Sequence, residues 1–144
     1  MIIATWAVLL SLSSPAATEE PYLPRCNQEA ANRGIQQEMN ICAHREYMIA
    51  DKALNDQWAI TYAKMKERDE SWSKSALDND DRPGWRESLL NAQRAWITFR
   101  DAHCQVDGYT ARGGSLEPLL VATCKTALTE ARTAQLKELA ESPA

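Results

Sequence analysis

The chain has few of the residues, and none of the short motifs, on which common enzyme sites depend. Among its 144 residues only His44 and His103 could act as bases near neutral pH, and neither G-x-S-x-G nor H-E-x-x-H occurs. The carboxylates are numerous, but no two stand out as a glycosidase pair. The sequence therefore predicts a protein that is not an enzyme.

Basic residues are also in the minority. Lys and Arg number 16 against 20 Asp and Glu, which gives a net charge of −4. A nucleic-acid partner is therefore not expected, because proteins that bind the phosphate backbone carry a basic surface.

Sustained period-2 alternation of apolar and polar residues is absent, so a β-sheet is not expected either.

Metal-ligand spacing is missing as well. The four cysteines are separated by 16, 62 and 20 positions, with no Cys-x-x-Cys that would suggest zinc. A calcium loop beginning at Asp78 would need an acid or amide where Arg82 stands, and glycine one position before Gly84. We expect no metal and no cofactor.

The N-terminal segment indicates export. Met1 to Leu12 is apolar and uncharged, and the small residues that follow include a Ser14-x-Ala16 cleavage pattern. We assign 1–16 to a signal peptide and 17–35 to an extended leader. No later segment is long and apolar enough to cross a membrane. The mature protein is expected in the periplasm or secreted, with no membrane anchor.

Helical periodicity dominates the rest of the chain, 36–140. Apolar residues recur at steps of three and four from Gln36 to about Lys66, and from Trp85 to His103. A third helix is predicted from an N-cap at Ser115 to about Leu139. In the second helix a heptad-like seam consists of Trp85, Leu89, Ala92, Trp96, Phe99 and His103. We predict an all-α fold: an antiparallel hairpin of two long helices plus a third C-terminal helix, stapled by two disulfides.

The four cysteines allow three pairings. Cys26–Cys42 and Cys104–Cys124 are favoured because they are close in sequence and would each close a short loop. An antiparallel hairpin also brings Cys42 and Cys104 to the same end, so that pairing stays open.

Several motifs resemble the LprI-like lysozyme-inhibitor domain. They are EMNICA at 38–43, ADKALN at 50–55, QRAWITFRDAHC at 93–104, GGS at 113–115, Cys124 and LTEARTAQL at 128–136. The resemblance implies a small secreted or periplasmic helical domain with four disulfide-forming cysteines. Lysozyme inhibition is attributed to the family's namesake, a lipoprotein, whereas this chain has no cysteine after its apolar segment for lipid attachment.

Polar residues within these motifs are candidates for a buried network. We expect Arg100 or Arg132 to pair with Asp51 and to fix helix register, since buried charges require partners. A binding or catalytic constellation is the alternative. The set comprises Asp51, Asn55, Gln93, Arg100, Asp101, Thr129 and Arg132.

The connection between the first two helices concentrates negative charge. Glu67 to Asp81 holds six acids and two bases, so its net charge equals that of the whole chain, −4. The candidate interface there is Trp72 with Asp78, Asp80 and Asp81, although Trp72 could instead pack on Trp85 or Tyr62. A second candidate is the loop from Val106 to Ser115, which presents Tyr109 and Arg112.

We interpret the sequence as an exported, non-enzymatic binding protein that inhibits lysozyme-type cell-wall hydrolases. Lysozymes are commonly cationic, so an acidic end would attract such a partner. The alternative is a structural or assembly protein of the cell envelope that uses its helices for partner association.

Overall fold

The computed structural model describes residues 22–75 and 80–143, apart from the side chains of residues 74 and 75. The predicted signal peptide and the candidate interface residue Asp78 lie outside these ranges. Within the described part every regular element is helical, which confirms the all-α prediction. The elements are α1 (Gln28–Asn32), α2 (Gln36–Ser75), α3 (Trp85–Gly108), a 3₁₀ turn (Tyr109–Ala111) and α4 (Glu117–Glu141).

The long helices begin close to where the sequence predicts, but α2 ends later. α2 and α3 start at the predicted residues, Gln36 and Trp85. α2 passes the predicted end at Lys66 and continues to Ser75, because no Gly or Pro interrupts this stretch. Over half of the acidic connection is therefore helix. The short α1 lies inside the segment 17–35, which is not extended throughout.

The three long helices do not all run in the same direction. α3 runs antiparallel to α2 and α4, and α4 runs parallel to α2 and makes the most extensive contacts with it. Three hydrogen bonds from α2 mark this register. Asn40 donates to the Ser115 carbonyl and Thr61 to the Leu136 carbonyl, both 75 residues on, and Arg68 donates to the Ser142 carbonyl, 74 residues on. The C-terminal helix is thus the main packing partner of α2.

The apolar core lies toward the end of the bundle where α2 meets the start of α3. Leu54, Met65, Leu89 and Leu136 form its buried cluster, contributed by all three long helices. Around this cluster pack the partly buried side chains of Trp58, Tyr62 and Trp96. Burying these large apolar surfaces supplies the main stabilisation of the bundle.

The buried face of α3 differs from the predicted seam. Phe99 is 55% exposed, and Ala92 and His103 are exposed as well. The residues that α3 buries are Leu89, Gln93, Arg100, Cys104 and Gly108. The seam prediction is wrong at Ala92, Phe99 and His103, because Gln93, Arg100 and Cys104 turn inward to bond to neighbouring helices.

Both favoured disulfides are present. Cys26 is bonded to Cys42 and Cys104 to Cys124, with Cα–Cα distances of 5.0 and 5.4 Å. The Cys42–Cys104 pairing is therefore excluded. The first disulfide holds the segment before α1 against α2, and the second holds α3 against α4.

The turn before α4 is capped differently from the prediction. The N-cap position is Leu116, which makes no side-chain cap, and the Ser115 carbonyl accepts a bond from Asn40. Gly113 takes a positive φ of 75°, which favours glycine. Its N–H donates to the Glu117 carboxylate at 2.6 Å, so a first-turn glutamate organises this turn. The N-cap prediction for Ser115 is wrong.

No helix among the described residues is long and apolar enough to span a membrane.

Candidate functional site

Arg100 is the centre of the network that the sequence motifs predict. Its side chain is only 7% exposed, and its guanidinium donates to Asp51 at 3.2 Å and to Asp101 at 3.0 Å. A longer bond of 3.5 Å reaches the buried hydroxyl of Thr129 on α4. Asn55 completes the group by donating to Asp51 at 3.2 Å. One arginine therefore joins all three long helices.

Aromatic rings and a second cation surround this guanidinium. Arg100 lies over the rings of Tyr47 and Trp96, at 5.4 and 5.1 Å from their centroids. Lys125 bonds to Asp101 at 3.1 Å. Burial opposes ionisation of Asp101, but the hydrogen bonds and charges of Arg100 and Lys125 outweigh it and hold the Asp101 pKa below its ordinary value. Burial raises the pKa of Tyr47.

Arg132 and Gln93 form a separate pair, and the Arg132 guanidinium lies 6.0 Å from the Trp96 ring centroid. Arg132 Nε donates to Gln93 Oε1 at 2.9 Å, and its Nη1 donates to Gln135 at 3.1 Å. Arg132 Nη2 is buried without a hydrogen-bond partner, and burial lowers the Arg132 pKa. The partner of Asp51 is thus Arg100 and not Arg132.

The geometry of these residues is that of a structural connection between helices. The polar atoms bond to one another across α2, α3 and α4, and Arg100, Gln93 and Thr129 are buried. Such bonds satisfy buried polar groups and fix register. Among the described residues no group of three or more His, Cys, Asp or Glu side chains could hold a metal ion.

The candidate interface at the α2–α3 end is built differently from the sequence interpretation. Trp72 contacts Trp85 edge to face, with ring centroids 5.7 Å apart, so the alternative packing of Trp72 on Trp85 is what the structure contains. Both residues nonetheless remain partly exposed, Trp72 at 46% and Trp85 at 37%. Trp72 is therefore one wall of a surface feature and does not protrude alone.

Most carboxylates of this end have local partners. Asp80 accepts two bonds of 2.7 Å from Arg82, and these bonds lower the Asp80 pKa to about 2. Glu67 pairs with Lys64 at 2.9 Å and Glu70 with Lys66 at 3.9 Å. The negative charge is therefore less concentrated than the sequence suggests, although Glu70, Asp80 and Asp81 stay at the surface.

Asp69 has a structural role. Its two carboxylate oxygens accept hydrogen bonds from the backbone N–H groups of Trp85 at 2.7 Å and Arg86 at 3.1 Å. It thereby caps the N-terminus of α3 from the neighbouring helix, where a negative charge is favoured. Gly84, at the N-cap, leaves room for this carboxylate, because an added Cβ would lie 2.5 Å from Asp69 Oδ1.

A cleft of about 640 Å³ opens at this end of the bundle. We call it the tip cleft. Its apolar walls and floor come from α2, α3 and α4 and from the segment before α3. The apolar lining residues are Met65, Trp72, Pro83, Trp85, Leu89 and Leu139. The remaining lining residues are Asp69, Asp80, Arg82, Gly84 and Ser88.

The second candidate interface lies at the opposite end of α3. Tyr109 is exposed in the 3₁₀ turn, and the Arg112 guanidinium lies 4.6 Å from its ring centroid. A helix of 24 residues separates this turn from Trp85, a distance of about 35 Å at 1.5 Å per residue. The two candidate interfaces therefore cannot form one continuous surface.

Sequence reasoning missed the residues that complete the tip cleft. The sequence pattern predicts Trp85 only as a packing residue and Asp69 only as part of an acidic segment. Met65 and Leu89 follow helical periodicity and gave no sign of a surface role. Leu139 of α4 lies more than fifty positions after Trp85, so only the tertiary structure brings the two residues to one cleft.

The chain belongs to the LprI lysozyme-inhibitor family. The profile of this family, described as lysozyme inhibitor LprI, matches residues 26–136. The chain is also 42% identical over 137 residues to an uncharacterized protein of Rhizobium meliloti (strain 1021), covering 94% of this chain and 92% of that protein. No solved structure is significantly similar to this chain. Its family and its two disulfides are consistent with an extracytoplasmic location.

Proposed function

We propose that this protein is an exported, non-enzymatic inhibitor of lysozyme-type cell-wall hydrolases, and that it binds them through the tip of the α2–α3 hairpin. The observation that carries this proposal is the tip cleft, an aromatic-walled surface bordered by carboxylates in a member of a lysozyme-inhibitor family. We use the name tip surface for six exposed residues, which are Glu70, Trp72, Asp80, Asp81, Trp85 and Leu139.

The chemistry of the tip surface suits a cationic partner. The exposed carboxylates would accelerate encounter with a basic protein, an effect that salt screens. Trp72 and Trp85 would supply apolar contact area at the centre, where interface residues contribute most. Occupation of the hydrolase surface by this tip would then block access of its substrate.

Export is part of the proposal. It is supported by the apolar N-terminal segment followed by a small-x-small pattern, and by two disulfides of a kind that persist in oxidising compartments. Expression of the full chain with mass spectrometry of the product would give the cleavage site, which we place after Ala16. A product that retains residues 1–16 and stays in the cytoplasm would contradict this part.

A muramidase assay tests the proposed inhibition directly. Purified protein from residue 17 onward would be titrated against a cationic egg-white lysozyme at low and high salt, with calorimetry to detect the complex. We expect inhibition that weakens as salt rises. A Tyr109→Ala, Arg112→Ala double variant is a control at the far end and should inhibit as well as the wild type. Absence of both inhibition and complex for all lysozyme types assayed would refute the proposal.

A second candidate function rests on the outer face of α3. Phe99, His103 and Val106 are exposed there beside Ala92 and Ala95, and none of these side chains is Lys, Arg, Asp or Glu. An uncharged helix face of this kind suits association with another helix. Light scattering after size-exclusion chromatography distinguishes the candidates: a stable oligomer that Phe99→Ser dissociates would favour an assembly role, whereas a monomer would oppose it.

A further inference from the structure

We infer that the tip cleft binds one apolar side chain of a cationic partner protein. We call the cleft in this role the socket and the inserted side chain the anchor. This inference rests on the proposed function and specifies how the tip surface would bind. It replaces the interpretation of Trp72 as a protruding anchor, because the edge-to-face contact with Trp85 makes Trp72 a wall of the cleft.

The shape and lining of the cleft determine the chemistry of its occupant. Its volume of about 640 Å³ lies within the range of roughly 300–1,000 Å³ found for small-molecule clefts, so it has room for a side chain as large as tryptophan. The lining includes the buried side chains of Met65 and Leu89 and that of Leu139, which is 40% exposed. Such a lining gains most from an aliphatic or aromatic group, which displaces water without leaving polar atoms unpaired.

The polar groups of the cleft are already engaged within the chain. The Asp69 carboxylate accepts two bonds from the start of α3, and the Asp80 carboxylate is held by Arg82. The Asp69 bonds tie the start of α3 to α2, and the Arg82–Asp80 bonds are local to the segment before α3. The walls therefore need little ordering on binding, and preorganisation of this kind favours affinity.

Charge around the opening identifies the partner class. Asp80 lines the cleft, Asp81 follows it in the chain, and both are exposed. Because Asp80 is already paired with Arg82, Asp81 would be the main carboxylate to complement a lysine or arginine that flanks the inserted side chain, whereas an acidic protein would be repelled. The occupant is thus an aliphatic or aromatic side chain with basic neighbours on a cationic lysozyme-type protein.

Two matched substitutions test the socket by surface plasmon resonance with egg-white lysozyme. Leu139→Asn changes a cleft wall, and Ile60→Asn makes the same kind of change at an exposed site of α2 that does not line the cleft. We expect Leu139→Asn to weaken binding at least tenfold through a faster dissociation rate, with the salt dependence unchanged. Ile60→Asn should bind as the wild type does.

The charged border gives a complementary signature. Asp81→Asn should slow association at low salt and leave dissociation nearly unchanged, because exposed charges act mainly on encounter. A Leu139→Asn protein that is folded and retains wild-type affinity would overturn the socket while leaving inhibition intact. A wild type that binds no lysozyme would overturn the proposed function and the socket with it.

Fluorine NMR of the otherwise unsubstituted protein gives an independent readout, and substitutions are needed only to assign its signals. With 5-fluorotryptophan incorporated, the signals of Trp72 and Trp85 should shift when lysozyme is added, and the signal of Trp58, which packs against the core, should not. Tryptophan-to-phenylalanine variants assign the signals. Shifts confined to tryptophans outside the cleft would overturn the inference.

Discussion

At the scale of single residues, Arg100 shows how a buried charge is accommodated. Two partly exposed carboxylates, one buried hydroxyl and two aromatic rings surround its guanidinium. The desolvation of such a charge is compensated only while its partners are present. The sequence identified the members of this network through their motifs, but the choice between Arg100 and Arg132 as the partner of Asp51 depended on helix rotation.

Removing this guanidinium should be costly. We expect Arg100→Met to lower the free energy of unfolding by about 3 kcal/mol, since it removes the connection between three helices and leaves the Thr129 hydroxyl unpaired. The exposed Arg94 on the same helix is the control, and Arg94→Met should change stability by no more than about 0.5 kcal/mol. Urea unfolding followed by circular dichroism measures both. Equal effects of the two substitutions would contradict a special role for Arg100.

The two perturbed carboxyl groups predict how stability depends on pH. The folded-state pKa values of Asp80 and Asp101 lie below their ordinary value, Asp80 at about 2 and Asp101 by the direction of its shift. Their stabilisation is complete above the unfolded pKa of about 4 and is lost as the pH falls through the folded values. The unfolding free energy should therefore decrease between about pH 4 and pH 2.

An asparagine variant isolates the contribution of Asp101. Asp101→Asn should be less stable at pH 7 and should lose less stability than the wild type between pH 4 and pH 2. Asp107→Asn, at an exposed site of the same helix, is the control. Urea titrations at a series of pH values measure the slopes, and identical slopes for Asp101→Asn and the wild type would contradict the assignment.

At the scale of elements, the start of α3 depends on a residue of another helix. Gly84 offers no side chain to cap α3, and Asp69 of α2 provides the carboxylate instead. This arrangement links the end of the hairpin to the first turn of α3. No local pattern indicates this cap, because Asp69 and Trp85 are separated by 16 positions.

Substitutions at both partners should be non-additive. Asp69→Ala should destabilise the protein by about 1 kcal/mol, the typical contribution of an N-cap. Gly84→Ala should cost a similar amount, because the new Cβ displaces the Asp69 carboxylate. The double variant should then lose less than the sum of the single losses. Thermal unfolding measures the cycle, with Glu70→Ala as a surface control, and strict additivity would argue against the shared cap.

Element boundaries and element faces were predicted with unequal success. The starts of α2 and α3 follow from periodicity and from the glycine and proline before Trp85, which are local signals. The buried face of α3 does not, since Phe99 and His103 continue an apolar period and yet lie exposed. The inward bonds of Gln93 and Arg100, together with the Cys104 disulfide, fix a different rotation.

At the scale of the whole molecule, two disulfides reinforce a bundle of modest size. The Cys104–Cys124 bond connects α3 to α4, and Cys104 is completely buried. Cys26–Cys42 connects a peripheral segment to α2. The two bonds close loops of similar length, so the chain-entropy contribution of each is similar, about 3 kcal/mol.

Loss of the two bonds should nevertheless differ in its effect. A Cys104→Ser, Cys124→Ser variant should unfold roughly 10 °C or more below the wild type, since it also places a hydroxyl in a buried site. A Cys26→Ser, Cys42→Ser variant should be less affected, because this bond holds only the peripheral segment before α1, whereas Cys104–Cys124 joins two long helices. Differential scanning calorimetry provides the comparison, and a larger effect of the peripheral pair would contradict this ranking.

The sequence by itself determined the helical class, the starts of the two hairpin helices, the favoured cysteine pairing and the resemblance to a lysozyme-inhibitor family. These properties follow from local periodicity, spacing and motif order, which are present in the sequence independently of the tertiary structure. The tertiary structure alone decided that α4 lies parallel to α2, that Arg100 binds Asp51, and that Leu139 and Trp85 line one cleft. Such contacts join residues dozens of positions apart, and their geometry depends on how each helix rotates to satisfy its buried polar groups.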